Sequence, residues 1–163
     1  MSDADASADD PSADTCVTEG KDMAPAWTVA PVSVADYADC VALWRETENI
    51  GDIHSLAAFT AFISRNRGFP QIARADGRIV GVLLVSFDGI RGYFYRLAVA
   101  RAWRRHGVAS ALVAQAITAL RAAGSDRINL HVYAGNAPAI GFWAGHGFTR
   151  HDGLDCWSRS WPA

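Results

Sequence analysis

Lysine is nearly missing from this sequence: of its 15 basic residues only Lys21 is a lysine, and every basic residue after it is an arginine. No glycine-rich segment runs into Lys-Ser or Lys-Thr, which excludes the loop that cradles nucleoside triphosphates, and Gly-x-Gly-x-x-Gly is absent as well. Cysteine is scarce. Cys16, Cys40 and Cys156 cannot form a full set of disulfides and none lies at a Cys-x-x-Cys spacing, which speaks against a zinc or redox motif and for a reducing compartment. No run approaches eighteen apolar residues, and no basic stretch leads into an apolar one near the start, so neither a membrane span nor a secretory signal is expected and the default location is cytoplasmic. Five histidines are scattered at 54, 106, 131, 146 and 151, with no carboxylate or cysteine completing a metal-binding set. Outside residues 101–105 there is no dense basic stripe, so Trp103, Trp143 and Trp157 are read as core or wall residues rather than a stacking surface, and no nucleic-acid partner is expected.

What is present is the composition of one globular domain: 163 residues, half of them hydrophobic and a fifth charged. The net charge of -2 hides an asymmetry. Residues 1–23 carry seven acids against Lys21, while the rest holds fourteen arginines against ten acids and is mildly basic. Residues 1–24, rich in Asp, Ala and Ser, lack an apolar period and are expected to be a disordered tail, with a domain over 25–163.

A short β-prone run at 26–32 precedes Ser33, which with Asp36 forms a weak capping box for a helix from about 34 to 48. A second helix is expected over about 55–66, bearing Leu56, Phe59, Phe62 and Ile63 on one face. Runs at 71–75 and 78–87 flank Asp76-Gly77, and Asp88-Gly89 leads to a run at 93–100, so three antiparallel strands form a meander. A helix over 107–123 follows, then a strand at 128–133, a helix at 137–145 and closing strands near 147–151 and 155–161. Cys40 and Cys156 are read as small buried residues.

The segment from Arg101 to Ala109 joins a strand to a helix and carries Arg104, Arg105, His106 and Gly107. The first N–H groups of a helix have no intrahelical partner and lie at the positive end of its dipole, so this turn is suited to hold a phosphate. Arg104-x-x-Gly107-x-Ala109 matches the Gln/Arg-x-x-Gly-x-Gly/Ala signature of the Gcn5-related N-acetyltransferase (GNAT) superfamily. The strand ending Leu97 to Ala100 stands before it, Leu130-x-Val132 follows, and Asn136-x-x-Ala139-Ile140-x-Phe142-Trp143-x-x-x-Gly147-Phe148 resembles a further segment of the family. The resemblance covers about residues 26–161, and residues 86–99 with 135–143 are similar to small stand-alone bacterial members of the YpeA group.

The resemblance implies an α/β (α+β) fold with a mixed central sheet of about six to seven strands, splayed at a β-bulge near Leu97 and flanked by about four helices. It implies acetyl-CoA as cosubstrate and no metal. Backbone groups of Leu97, Ala98 and Val99 would pair with the pantetheine arm, the amides and charges of Arg104, Arg105, His106, Gly107, Val108 and Ala109 would hold the pyrophosphate, Asn136 would face the far side of the pantetheine, and Phe142 and Trp143 would line it near the sulfur. The implied reaction is attack of a neutral amine on the thioester in a ternary complex, with a bulge N–H stabilising the oxyanion.

Two proton transfers remain. The family commonly places a Tyr acid where this chain has Trp143, whose indole cannot serve, although a thiol of pKa about 8.5 leaves tolerably without one. His131 is the candidate base: in a branch of the family a glutamate stands at this position, and an imidazole titrates near neutrality. The alternative is a half-exposed strand histidine paired with a neighbour. Tyr133, on its face, and Tyr95, on the next strand, are candidates to donate or relay a proton. A second function class stays open, a non-catalytic acyl-CoA-binding sensor with the same fold. The acceptor would be set by residues 46–55 and 87–96, where Glu46, Glu48 and Asp52 suit a cationic amine or are a solvated helix end. A homodimer joined through the last strands and a monomer both stay open.

Overall fold

The computed structural model describes residues 26–51 and 54–159. The expected tail over 1–24 and the domain boundary at 25 lie outside the described residues, as do Asp52 and residues 160–163. The chain runs β1 (Thr28–Pro31), a 3-10 turn (Val34–Asp36), α1 (Tyr37–Arg45), α2 (Leu56–Arg65), β2 (Gln71–Ala75), β3 (Arg78–Phe87), β4 (Arg91–Val99), a second 3-10 turn (Arg101–Trp103), α3 (Val108–Ala122), β5 (Arg127–Leu130) and α4 (Ala137–Gly145). One sheet takes them in the order β1-β2-β3-β4-β5, antiparallel through β4, with β5 parallel to β4.

The turns follow their residues. Asp76 and Gly77 both have positive φ (48° and 75°), the twist-matched hairpin geometry that an Asp-Gly pair allows. At the next turn the Asp88 carboxylate accepts from the N–H groups of Ile90 and Arg91 at 2.8 and 2.6 Å, which holds its pKa below the usual carboxylate value. Ser33 donates from its backbone N–H and its hydroxyl to Asp36, which also pairs with the Arg74 guanidinium and so ties the start of α1 to β2.

Both faces of the sheet are covered. Val80 to Val85 of β3 are all buried; Val82 and Leu84 meet Cys40, Trp44, Phe59 and Ile63 of α1 and α2, while Leu83 and Val85 meet Leu112, Val113 and Leu120 of α3. Burying such a side chain contributes roughly 1.5–3 kcal/mol, so β3 is the spine of both cores. Two glycines seat α3 on the sheet. A Cβ on Gly81 would lie 2.7 Å from Val108 Cγ1, and one on Gly92 would collide with Leu120 Cδ1. Cys40 is fully buried and its thiol pKa is pushed up to about 12 by that burial, with Asp36 and Asp39 adding to the effect, so it is inert packing.

The sheet has five strands among the described residues, not the expected six to seven. After α4, Gly147 turns with φ 80° and Phe148 packs on Phe94 and Trp143, which anchors the chain by side chains instead of a ladder. No strand follows in the described stretch 149–159, and the closing strands expected near 147–151 and 155–161 are absent as far as 159. Without them Cys156 is exposed, not buried as expected, and Trp157 is 90% exposed.

Candidate active site

The sheet opens in the middle of β4. Arg91 to Phe94 pair with Arg127 to Leu130 of β5, and beyond Phe94 the ladder to β5 ends. The cause is a bulge. Between the pairs Val82↔Ala98 and Leu84↔Tyr95, β3 supplies one residue and β4 two, Arg96 and Leu97, and Arg96 takes up the extra length in the left-handed region at φ 51°. The bend carries Tyr95 to Val99 away from β5, so their outward N–H and C=O groups form an open strand edge on that side. Ala98 is buried toward α1, and Leu97 and Val99 pack partly into the α3 side. The strand expected over 128–133 therefore stops at Leu130: His131 to Tyr133 face no partner strand.

The turn after β4 brings the basic residues to the start of α3. Arg105 and Gly107 have left-handed backbones, at φ 69° and 79°, and Gly107 is the N-cap with no side chain to satisfy the helix. The first intrahelical bond is from the Ala111 N–H to the Gly107 carbonyl at 3.0 Å, which leaves the N–H groups of Val108, Ala109 and Ser110 without intrahelical acceptors. There is no acid in the first turn, and Arg104, Arg105 and His106 are exposed around it. Arg104 Nε donates to the Val99 carbonyl at 3.3 Å and His106 Nδ1 lies 2.9 Å from the Arg104 carbonyl, contacts that fold this turn back over the end of β4. A Cβ placed on Gly107 would touch nothing within 4 Å, so the space beside this N-cap is open. An uncapped helix end, three basic side chains and free volume suit a phosphate-bearing ligand.

Helix α4 closes the opposite wall. Asn136 caps it, its Oδ1 accepting from the Ala139 N–H at 3.1 Å. Trp143 is 9% exposed and packs against Phe94 and Phe148, with centroids at 5.9 and 5.1 Å. Phe142 is half-buried with its ring 4.2 Å from that of His146. His146 Nδ1 lies 2.8 Å from the Phe142 carbonyl and Nε2 3.1 Å from Ser110 Oγ, so this histidine ties α4 to the first turn of α3. Sequence reasoning missed that role; the spacing of Phe142 and His146 by one helical turn is the signal that carries it.

The catalytic candidates are less gathered. His131 is exposed in the segment after β5, Tyr133 is 61% exposed, and neither side chain makes a hydrogen bond among the described residues. Tyr95, at the bulge, is stacked on Tyr93 with centroids at 6.3 Å and meets Phe62 edge-on at 6.0 Å, with Ser86 Oγ 3.5 Å from its hydroxyl.

The bulge also reaches the loop between α1 and α2. Arg96 Nη1 donates to the Ile50 carbonyl at 3.0 Å, Nη2 lies 3.1 Å from His54 Nε2, and the guanidinium sits 5.8 Å from the Trp44 ring centroid. Tyr37 adds a bond from its hydroxyl to the His54 carbonyl at 2.9 Å. Glu46 and Glu48 are exposed at the end of α1, and Asp52 lies outside the described residues. Among the described residues no group of three His, Cys, Asp or Glu is placed to hold a metal ion, and no helix is long and apolar enough to cross a membrane.

Known proteins share this fold. Residues 38–148 match the acetyltransferase (GNAT) family. An acetyltransferase of Pectobacterium atrosepticum, ECA0875, is 36% identical over 72 residues, which are 44% of this chain and 51% of the relative, so the match spans about half of that protein. Among solved structures, Ard1 from Thermoplasma volcanium has a TM-score of 0.65 at 22% identity, over 76% of this chain and 82% of its own. An aminoglycoside acetyltransferase from an uncultured soil metagenomic sample has a TM-score of 0.66 at 17% identity, over 83% and 97%. The NatC complex bound to Gag peptide and CoA contains a chain with a TM-score of 0.67 at 22% identity, over 77% and 86%. The family match runs from within α1 to just past α4 and so takes in the bulge, the uncapped start of α3 and the Asn136-capped helix together: the chain belongs to the GNAT family of acetyltransferases.

Proposed function

We propose that this protein transfers the acetyl group of acetyl-CoA to a primary amine of a small molecule or peptide, by direct attack of the amine in a complex holding both substrates. The observation that carries the reading is the opening of β4 at the Arg96–Leu97 bulge next to the uncapped, acid-free N-terminus of α3. The residues fit the ligand: the edge of Leu97 to Val99 would pair with the pantetheine amides as an added strand, and the amides of Arg105 to Ala109 with the charges of Arg104, Arg105 and His106 would hold the pyrophosphate. Asn136 would face the pantetheine across the cleft, with Phe142 and Trp143 behind it. Acetyl-CoA supplies a thioester carbon open to attack.

The chain's own groups do the rest. A bulge N–H would stabilise the oxyanion, and His131, exposed just beyond the end of the β4–β5 ladder and without a hydrogen bond among the described residues, would take the amine proton directly or through water. Tyr133 is the second candidate for proton transfer. The buried Trp143 favours a second reading, an acyl-CoA-binding sensor without turnover, because that indole is core packing and supplies no acid. The reading requires neither a metal nor a membrane or nucleic-acid partner, and the compartment proposed with it is the cytoplasm. Calorimetric titration with acetyl-CoA, followed by thiol release against a panel of amines and short peptides, tests it. Binding with release is expected; binding without release from any acceptor supports the sensor, and no binding contradicts both.

A further inference from the structure

A groove of about 440 Å³ runs along α2 on the sheet face opposite α3. Ala58, Ala61, Phe62 and Arg65 line it at helical spacing from one side of α2, with His54 at the start of the helix and Ser86 from β3. Its position relative to the bulge follows from contacts: His54 lies against Arg96, and Tyr95 touches both Phe62 and Ser86. The His54 end of the groove thus abuts Arg96 of the bulge, and Tyr95 runs beside its middle. Arg65 stands seven positions beyond Ala58 on the helix, a rise of about 10 Å.

Among the described residues the charged side chain that lines this groove is Arg65. No carboxylate among them lines it, Asp52 lying outside the described residues. Among the described residues the ion pairs are Arg74 with Asp36 and Arg150 with Asp152, so the exposed Arg65 guanidinium has no acidic partner there. The neighbouring polar group is already committed: Asn66 donates to the Phe62 carbonyl at 2.9 Å and accepts from the Phe87 N–H at 3.1 Å. The middle of the groove is apolar, formed by Ala58, Ala61 and the Phe62 ring.

We infer that the acceptor is an amine joined through an apolar stretch of about 10 Å to an anionic group, a carboxylate in the simplest case, with the amine at the bulge and the anion at Arg65. This assigns a substrate class opposite to the cationic one that Glu46, Glu48 and Asp52 suggest: Glu46 and Glu48 do not line the groove, and Asp52 lies outside the described residues. It rests on the acetyltransferase reading for the placement of the amine; the charge preference stands on the groove alone.

Two matched probe pairs test it in the full chain, followed by intrinsic fluorescence at low ionic strength. The first is 8-aminooctanoate against 1,8-diaminooctane, and the second is the peptide amide Ala-Ala-Glu against Ala-Ala-Lys. The acidic member of a pair is expected to bind about threefold tighter or more, and Arg65→Glu to reverse the order. Preference in the first pair alone identifies a small-molecule acceptor, and in the second alone a peptide. Absence of binding by all four probes, equal affinity within both pairs, tighter binding of the cationic members, or a preference that survives Arg65→Glu overturns the assignment. Acetyl-CoA titrated into the same two proteins reports the parent reading separately, because Arg65 is on the face away from α3. A wild type that discriminates the probes and ignores acetyl-CoA would contradict acetyl transfer and leave the groove standing.

Discussion

The first and second halves of β4 belong to one strand and meet different surroundings. Arg91 to Phe94 are laddered on both sides, to β3 and to β5, and at Gly92 the strand is pressed so closely by Leu120 that a side chain would not fit. Tyr95 to Val99 keep β3 and lose β5, and the turn that follows ends at Gly107, where a Cβ would meet nothing. The same residue type does opposite work in the two places: Gly92 closes a gap and Gly107 leaves one. The closed half fixes the direction of the strand, and the open half leaves its outer backbone edge without a partner strand.

The comparison breaks most sharply at Gly107. Gly107→Glu puts a carboxylate where an anion would sit, and acetyl-CoA binding is expected to fall below detection by calorimetry while the circular dichroism spectrum stays unchanged. His131→Ala, just beyond the end of the β4–β5 ladder, is expected to lower kcat about 100-fold with little change in acetyl-CoA affinity and to remove a limb of the pH–rate profile; an unchanged profile would take His131 out of the mechanism. In the closed half, Gly92→Ala is expected to destabilise the fold by about 1–3 kcal/mol in urea unfolding, since Leu120 must move.

Smaller effects sharpen the boundary between the halves. Arg96→Ala removes the contacts from the bulge to Ile50, His54 and Trp44, and faster hydrogen exchange is expected in residues 46–51 with the β3–β4 ladder unchanged. The smallest effect concerns the Asp88 turn. Because two backbone N–H groups lower the pKa of this carboxylate in the folded chain, the contribution of the turn is complete above the ordinary carboxyl range and is lost as pH falls through the lowered value. Asp88→Ala should make stability slightly less dependent on pH in acid, as read by unfolding midpoints.

How far the sequence was legible varies along the chain for physical reasons. Both Asp-Gly turns, the strands at 71–75 and 78–87 and the helix at 137–145 are local events, fixed by glycine's conformational freedom and by apolar spacing, and the structure has them where the sequence places them. The expected helix from 34 to 48 divides at Asp36, whose carboxylate is drawn to Ser33 and Arg74, and ends at Arg45. Tertiary choices were less visible. Nothing in an arginine announces a left-handed backbone, so the contacts of Arg96 were not foreseen although a bulge near Leu97 was. Closing strands were expected near 147–151 and 155–161, but Gly147 and Gly153 turn the chain and no partner edge engages it as far as 159 among the described residues. Of the site, the basic turn before α3 was readable because helix ends bind anions through the backbone, whereas the groove along α2 required the packing of Phe62 against Tyr95.

Hydrogen exchange with and without acetyl-CoA tests the contrast within β4 most directly. The account expects added protection at Leu97 to Val99 and at Arg105 to Ser110, with Arg91 to Phe94 unchanged because they are already laddered on both sides. Protection elsewhere in the chain with none at these two segments would contradict it.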